Sequence, residues 1–148
     1  MKLTEADLRG IPAANIKVSR DEFVALWTAS EEMHEQLKGA DWGVWGVACA
    51  CRWLADATSR RLDGRRHMSK SPATRREKRA FPELITAELV AGETMLASKR
   101  PSPVVVSQRE YYEAAVATLR WAWMRNVPAP YHWLSQASAL RTDLAQHS

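Results

Sequence analysis

The chain has 148 residues, 46% of them apolar, with seven tryptophans, two cysteines and a formal charge of +4. A chain this long and this apolar can bury a core, so most of it is expected to fold, and no run reaches the ~20 apolar residues of a membrane span. The charge is local: nine of the 21 Lys and Arg fall between Arg60 and Arg79 against only Asp63 and Glu77, so that segment carries +7 and the rest −3.

Residues 1–18 read as an N-terminal arm. Lys2, Glu5, Asp7 and Arg9 interrupt any apolar leader, so a soluble, cytoplasmic protein is expected. Thr4 with Asp7 three positions on predicts a short capped turn, stopped by Gly10 and Pro12. Ser19-Arg20-Asp21-Glu22 has the form of a capping box, and the helix behind it is expected to run to about Lys38 and end at Gly39. Its buried stripe is Phe23, Trp27, Met33, His34 and Leu37, while Glu31, Glu32 and Glu35 make it acidic.

Asp41 then caps a helix expected from Trp42 to about Ser59, apolar nearly all round. Gly43, Gly46, Ala48 and Ala50 among Trp42, Val44, Trp45, Val47 and Trp53 mark it as the central helix, because small residues let helices approach closely. Each glycine costs about 1 kcal/mol against alanine, which close packing must offset. Cys49 and Cys51 would point about 200° apart, which suits neither a disulfide nor shared metal ligation. Two reduced packing residues in a reducing compartment are expected.

Residues 60–80 form a basic connector and short helix. Asp63-Gly64 signals a turn, and Ser71-Pro72 reads as N-cap and first residue of a helix over Pro72–Phe81. On that helix Arg75, Arg76, Lys78 and Arg79 would share about 160° of arc with Glu77 opposite. Arg60, Arg61, Arg65, Arg66 and Lys70 precede them on the connector. Pro82 breaks or kinks the chain and opens a helix over Glu83–Ser98, with Phe81, Leu84, Ile85, Leu89, Met95 and Leu96 at helical spacing. Residues 99–106 read as loop, with Val104-Val105-Val106 extended.

Ser107-Gln108-Arg109-Glu110 is a second capping box, predicting a helix to about Asn126 with Tyr112, Val116, Leu119 and Trp123 on one side. Pro128-Ala129-Pro130 separates it from a last helix that buries Trp133, Leu134, Ala137, Leu140 and Leu144. The expected fold is a single-domain, all-α bundle of four to five main helices. Arg52-Trp53 and Arg120-Trp121 sit in similar apolar company, a weak internal echo that duplication and chance explain equally well.

For function, the basic segment leads. A cationic face neutralises phosphates, with affinity that falls steeply with salt, and Ser69, Ser71 and Thr74 add hydroxyls. Docking on an acidic protein and simple solvation are the alternatives. No aromatic lies between Arg60 and Ala80, so stacking on single-stranded bases is not expected. A helix-turn-helix lacks its turn, which leaves Thr74–Ala80 as the one groove-entering piece.

Trp121 and Trp123 lie about 200° apart on their helix, and Trp42 and Trp45 compete with Trp53 for faces. These four indoles (Trp42, Trp45, Trp121, Trp123) are therefore candidates for an interface with a protein partner or a second copy. Arg52 is expected to pair with Asp56 one turn on, and an anion pocket near Arg52 or Arg120 is the alternative to a structural role.

Metal and cofactor chemistry are not expected. Glu31-x-x-His34 lacks the second such pair of a di-metal bundle and reads as a surface pair, and His67, His132 and His147 show no ligand spacing. No nucleophile elbow or phosphate loop is present. Arg141 followed by His147 resembles the Arg-x4–6-His signature of HEPN ribonucleases, also small helical proteins; the resemblance implies a pair acting on an RNA 2′-hydroxyl. Arg61 and His67 share the spacing, but Gly64 between them argues against a continuous helix.

The favoured reading is a non-catalytic regulatory or accessory protein contacting nucleic acid through Arg60–Arg79. The rival is a protein-binding module, antitoxin-like or immunity-like, whose basic segment engages an acidic partner. An RNA-cleaving enzyme is the outlier.

Overall fold

The computed structural model describes residues 1–60, 64–124 and 126–137. It is an all-α helical fold carrying one small β-hairpin. Helix α1 (Glu5–Arg9) is closed by Thr4 and Asp7, which bond each other's backbone N–H as a reciprocal capping box, and Gly10 ends it. Helix α2 (Arg20–Gln36) begins on Ser19, whose hydroxyl accepts from the Glu22 N–H, but the return bond of the expected capping box, from the Ser19 N–H to the Glu22 carboxylate, is not formed. It stops when Lys38 takes a left-handed φ of 52°, which lets the Lys38 and Gly39 N–H groups bond the Glu35 and His34 carbonyls.

Helix α3 (Trp42–Leu54) starts on Asp41, whose carboxylate accepts from the Val44 N–H. It ends five residues short of the expected Ser59. Asp56 adopts a left-handed φ of 56°, and the Asp56 and Ala57 N–H groups bond back to the Trp53 and Arg52 carbonyls. The chain freed by that stop forms strand β1 (Thr58–Arg60), antiparallel to β2 (Arg66–Met68), with Ser59 opposite His67.

The helix expected over Pro72–Phe81 is not formed. Residues 72–74 make a single turn and 75–80 form no regular element, because Arg75 takes a left-handed φ of 60° and the turn's N–H groups are bonded by side chains. Helix α4 (Pro82–Ala97) follows with Pro82 in its first turn. Val104–Val106 are helical rather than extended: Ser102 caps the short α5 (Pro103–Ser107), with Pro103 at its start.

The second capping box also fails. Ser107 donates its hydroxyl to the Val104 carbonyl within α5, and α6 (Arg109–Trp123) begins on Gln108 without a side-chain cap. Residues 131–137 are helical after the Pro128–Pro130 break, burying Leu134 and Ala137. Leu140 and Leu144 lie outside the described residues.

The helices pack in the neighbour order α2, α3, α6, α4. As expected, α3 is central, and its glycines make that possible. A Cβ on Gly46 would strike the Tyr111 carbonyl at the α3–α6 crossing, and one on Gly43 would strike the Trp133 ring. The core gathers Phe23, Leu26, Trp27, Val47, Trp53, Leu54, Ile85, Leu119 and Trp121 from all four helices. Met33 and His34, expected in the α2 stripe, are half-buried; Leu26 and Ser30 are buried instead.

Candidate nucleic-acid interface and anion pocket

Residues 69–80 form a strap across the C-terminal end of α3 and the middle of α4, and its backbone is pinned by side chains rising from the core. Ser69 bonds the Ala57 carbonyl through both its N–H and its hydroxyl. Tyr111 gives its phenolic hydrogen to the Pro72 carbonyl at 2.8 Å. The buried Glu88 carboxylate accepts from the N–H groups of Ala73 and Thr74, both at 2.6 Å, and from the Thr74 hydroxyl at 2.9 Å. The Trp53 indole donates to the Lys78 carbonyl at 2.7 Å, and buried Asn15 bridges the Leu54 and Ala80 carbonyls. With its backbone polar groups fixed to the body, the strap holds its cations at defined places.

The described basic residues of this segment do not form one face. Alternate residues face different hollows: Arg76 and Lys78 line a groove with Trp53, Leu84 and Glu88, while Arg75 and Glu77 line a different pocket beside the hairpin. This replaces the expected 160° helical arc. Arg66, Lys70, Arg76 and Lys78 are exposed and form no ion pair among the described residues. Arg79 pairs with Asp56 at 2.6 Å but keeps 71% of its side chain exposed. Arg65 is exposed just before β2, Arg60 is opposite Arg66 in the hairpin register, and Arg61 lies outside the described residues.

Arg75 behaves differently from its neighbours. Its guanidinium turns inward, lies 5.6 Å from the Tyr111 ring centre and donates to the Tyr111 hydroxyl at 2.8 Å. Cys49 is also within its reach; burial pushes the Cys49 thiol up to about 11, partly opposed by Arg52 and Arg75. Burial likewise pushes the Cys51 thiol and the Tyr111 phenol up. Both cysteines are free and buried, protonated packing residues rather than nucleophiles.

Arg52 does not pair with Asp56. It points across to α2, where Glu31 takes its Nε and Nη2 in a bidentate bridge with a shortest distance of 2.6 Å. Glu31 is 2% exposed, so the Glu31-x-x-His34 pair is not a surface feature. His34 instead stacks on Trp45 with ring centres 4.5 Å apart, and the Arg52 guanidinium lies 4.8 Å from the same indole. Desolvation and then the Arg52 charge lower the His34 pKa, with Glu31 opposing.

Of the four interface candidates, only Trp42, 44% exposed, offers a largely open indole. Trp121 is buried against Phe23 with stacked rings and is closed to any partner. Trp45 and Trp123 are half-buried, Trp123 beneath the Lys17 ammonium at 4.3 Å. Arg141 and His147 lie outside the described residues. Among the described residues no three His, Cys, Asp or Glu come together as a metal requires, and no helix is long and apolar enough to cross a membrane.

Glu88 and the Arg52–Glu31 bridge escaped the reading of the sequence, yet both left a signal. Each glutamate sits on a buried helical stripe, beside Leu26, Trp27 and Ser30 in one case and Ile85, Leu89 and Gly92 in the other. A carboxylate at such a position must be bonded internally. The chain matches no protein-family model, no curated protein and no solved structure.

Proposed function

We propose that this chain is a small non-catalytic accessory protein that contacts nucleic-acid phosphates through the hairpin and the outer side of the strap. The observation carrying this reading is the set Arg66, Lys70, Arg76 and Lys78, exposed and without acidic partners among the described residues, on a backbone pinned to the core. Cations held on a fixed scaffold bind phosphate without the ordering cost that flexible tails incur. Contact is to the backbone rather than to bases, since the surface offers cations but neither a recognition helix nor an exposed aromatic within the strap.

The test is fluorescence anisotropy with random-sequence duplex DNA and RNA between 50 and 200 mM salt. Binding is expected to weaken steeply with salt. The triple variant Arg66→Gln, Arg76→Gln, Lys78→Gln should flatten the log–log slope on duplex DNA by about 0.9 for every phosphate it no longer neutralises. Absence of binding at low salt, or a slope unchanged in the triple variant, overturns the reading and leaves an acidic protein as the partner to seek.

A further inference from the structure

A second cationic feature lies on the other side of the strap. A pocket of about 170 Å³ opens between α3, the hairpin and the strap, and Trp45, Cys49, Arg52, Thr58, His67, Lys70, Arg75 and Glu77 are among its lining residues. We infer that this pocket binds a compact tetrahedral oxyanion, specifically a phosphate monoester group.

The donors come from three separate parts of the chain, Arg52 on α3, His67 on β2, and Lys70 and Arg75 on the strap. Both guanidiniums are held from behind. Glu31 grips Arg52 through Nε and Nη2, and Arg75 spends one Nη1 hydrogen on Tyr111. A guanidinium has five N–H donors, so each retains others. Side chains braced in this way need little reorganisation to receive an anion.

The charged side chains of the lining sum to a net positive charge, which favours an anion. Glu31 offsets Arg52, but Arg75 and Lys70 form no ion pair among the described residues, and Glu77 is the one acid in the lining. His67 also lines the pocket, and its Nε2 is buried without a hydrogen-bond partner.

Size fixes the class. The pocket is well below the ~300 Å³ at which sites for drug-sized molecules begin, so it takes one small group and not a whole nucleotide. Donors converging from several directions suit the three free oxygens of a phosphate monoester better than the two coplanar oxygens of a carboxylate. The group could be free phosphate or the terminus of a larger molecule; the chemistry is the same. Lys70 is shared with the nucleic-acid reading, but Arg76 and Lys78 face the other groove, so substituting those two separates the sites.

The experiment is a ¹H–¹⁵N NMR titration of the full chain with inorganic phosphate, at ionic strength held constant with chloride. Saturable shifts are expected at the amides of Thr58, Ser69 and Lys70. Lys70→Met, whose side chain makes no hydrogen bond within the described residues, should weaken binding about tenfold while leaving the spectrum otherwise intact. Arg75→Met should do the same if the strap holds. The Arg76→Gln, Lys78→Gln pair should bind phosphate as the parent does. A 5′-phosphorylated dinucleotide binding more tightly than inorganic phosphate identifies a terminal group as the source, and equal affinity identifies the free ion. Non-saturating shifts, or an affinity unchanged in folded Lys70→Met, overturn the inference.

Discussion

The Arg52–Glu31 bridge shows how one buried charge decides the fate of its neighbours. With Glu31 at 2% exposure, both of its oxygens are satisfied by the bidentate guanidinium. Removing the arginine alone strands that carboxylate, whereas removing both charges together removes the penalty as well. Arg52→Met is therefore expected to cost about 3–5 kcal/mol of unfolding free energy. The double variant Arg52→Met, Glu31→Met should be distinctly more stable than Arg52→Met alone in urea unfolding. Additive losses in that cycle would show that the bridge carries no coupling.

At the scale of the element, the strap is the part whose conformation is set from outside itself. Residues 72–81 carry a sound N-cap, a proline in the first position and several good helix formers, yet only one turn forms. The reason is competition: Glu88 bonds the Ala73 and Thr74 N–H groups, and Trp53 and Asn15 bond the carbonyls of Lys78 and Ala80. Glu88→Ala leaves those N–H groups without their charged acceptor and is expected to destabilise by about 3 kcal/mol. Hydrogen exchange at Ala73 and Thr74 should rise more than exchange in α3. Unchanged protection at both amides would mean that the carboxylate does not hold the strap.

Across the whole molecule, stability should follow a plateau with two limbs. His34 has its pKa lowered from 6.5 by desolvation and by Arg52, so the unfolded chain takes up its proton first and stability falls as pH drops through 6.5 and below. Cys49 and Tyr111 have theirs raised from 9.0 and 10.0, chiefly by burial, so the unfolded chain loses those protons first and stability falls as pH climbs past 9. Urea midpoints measured across this range should show both limbs. His34→Gln should flatten the acid one and Tyr111→Phe part of the alkaline one, whatever their effect on the plateau. The two arginines of the internal echo sit differently: Arg52 bridges to buried Glu31, Arg120 to half-buried Glu93, while Trp53 and Trp121 are both buried.

Local patterns in the sequence were enough for the helical class, the central place of α3, the Thr4, Ser19 and Asp41 caps and the glycine-lined crossing. Each of these rests on apolar spacing or on a cap only a few residues away. Three features were settled by tertiary contacts instead. The stop at Asp56 and the hairpin after it depend on a left-handed residue with no glycine to announce it. The strap depends on Glu88, Trp53, Asn15 and Tyr111, which lie from 14 to 65 residues away in the bonds they make. The inward turn of Arg75 towards Tyr111 accompanies those bonds, and Arg76 and Lys78 line a different groove, so one basic stretch is divided between two surfaces. Charge content is written along the chain, but the direction a charge faces is set by the long-range hydrogen bonds that fix its backbone.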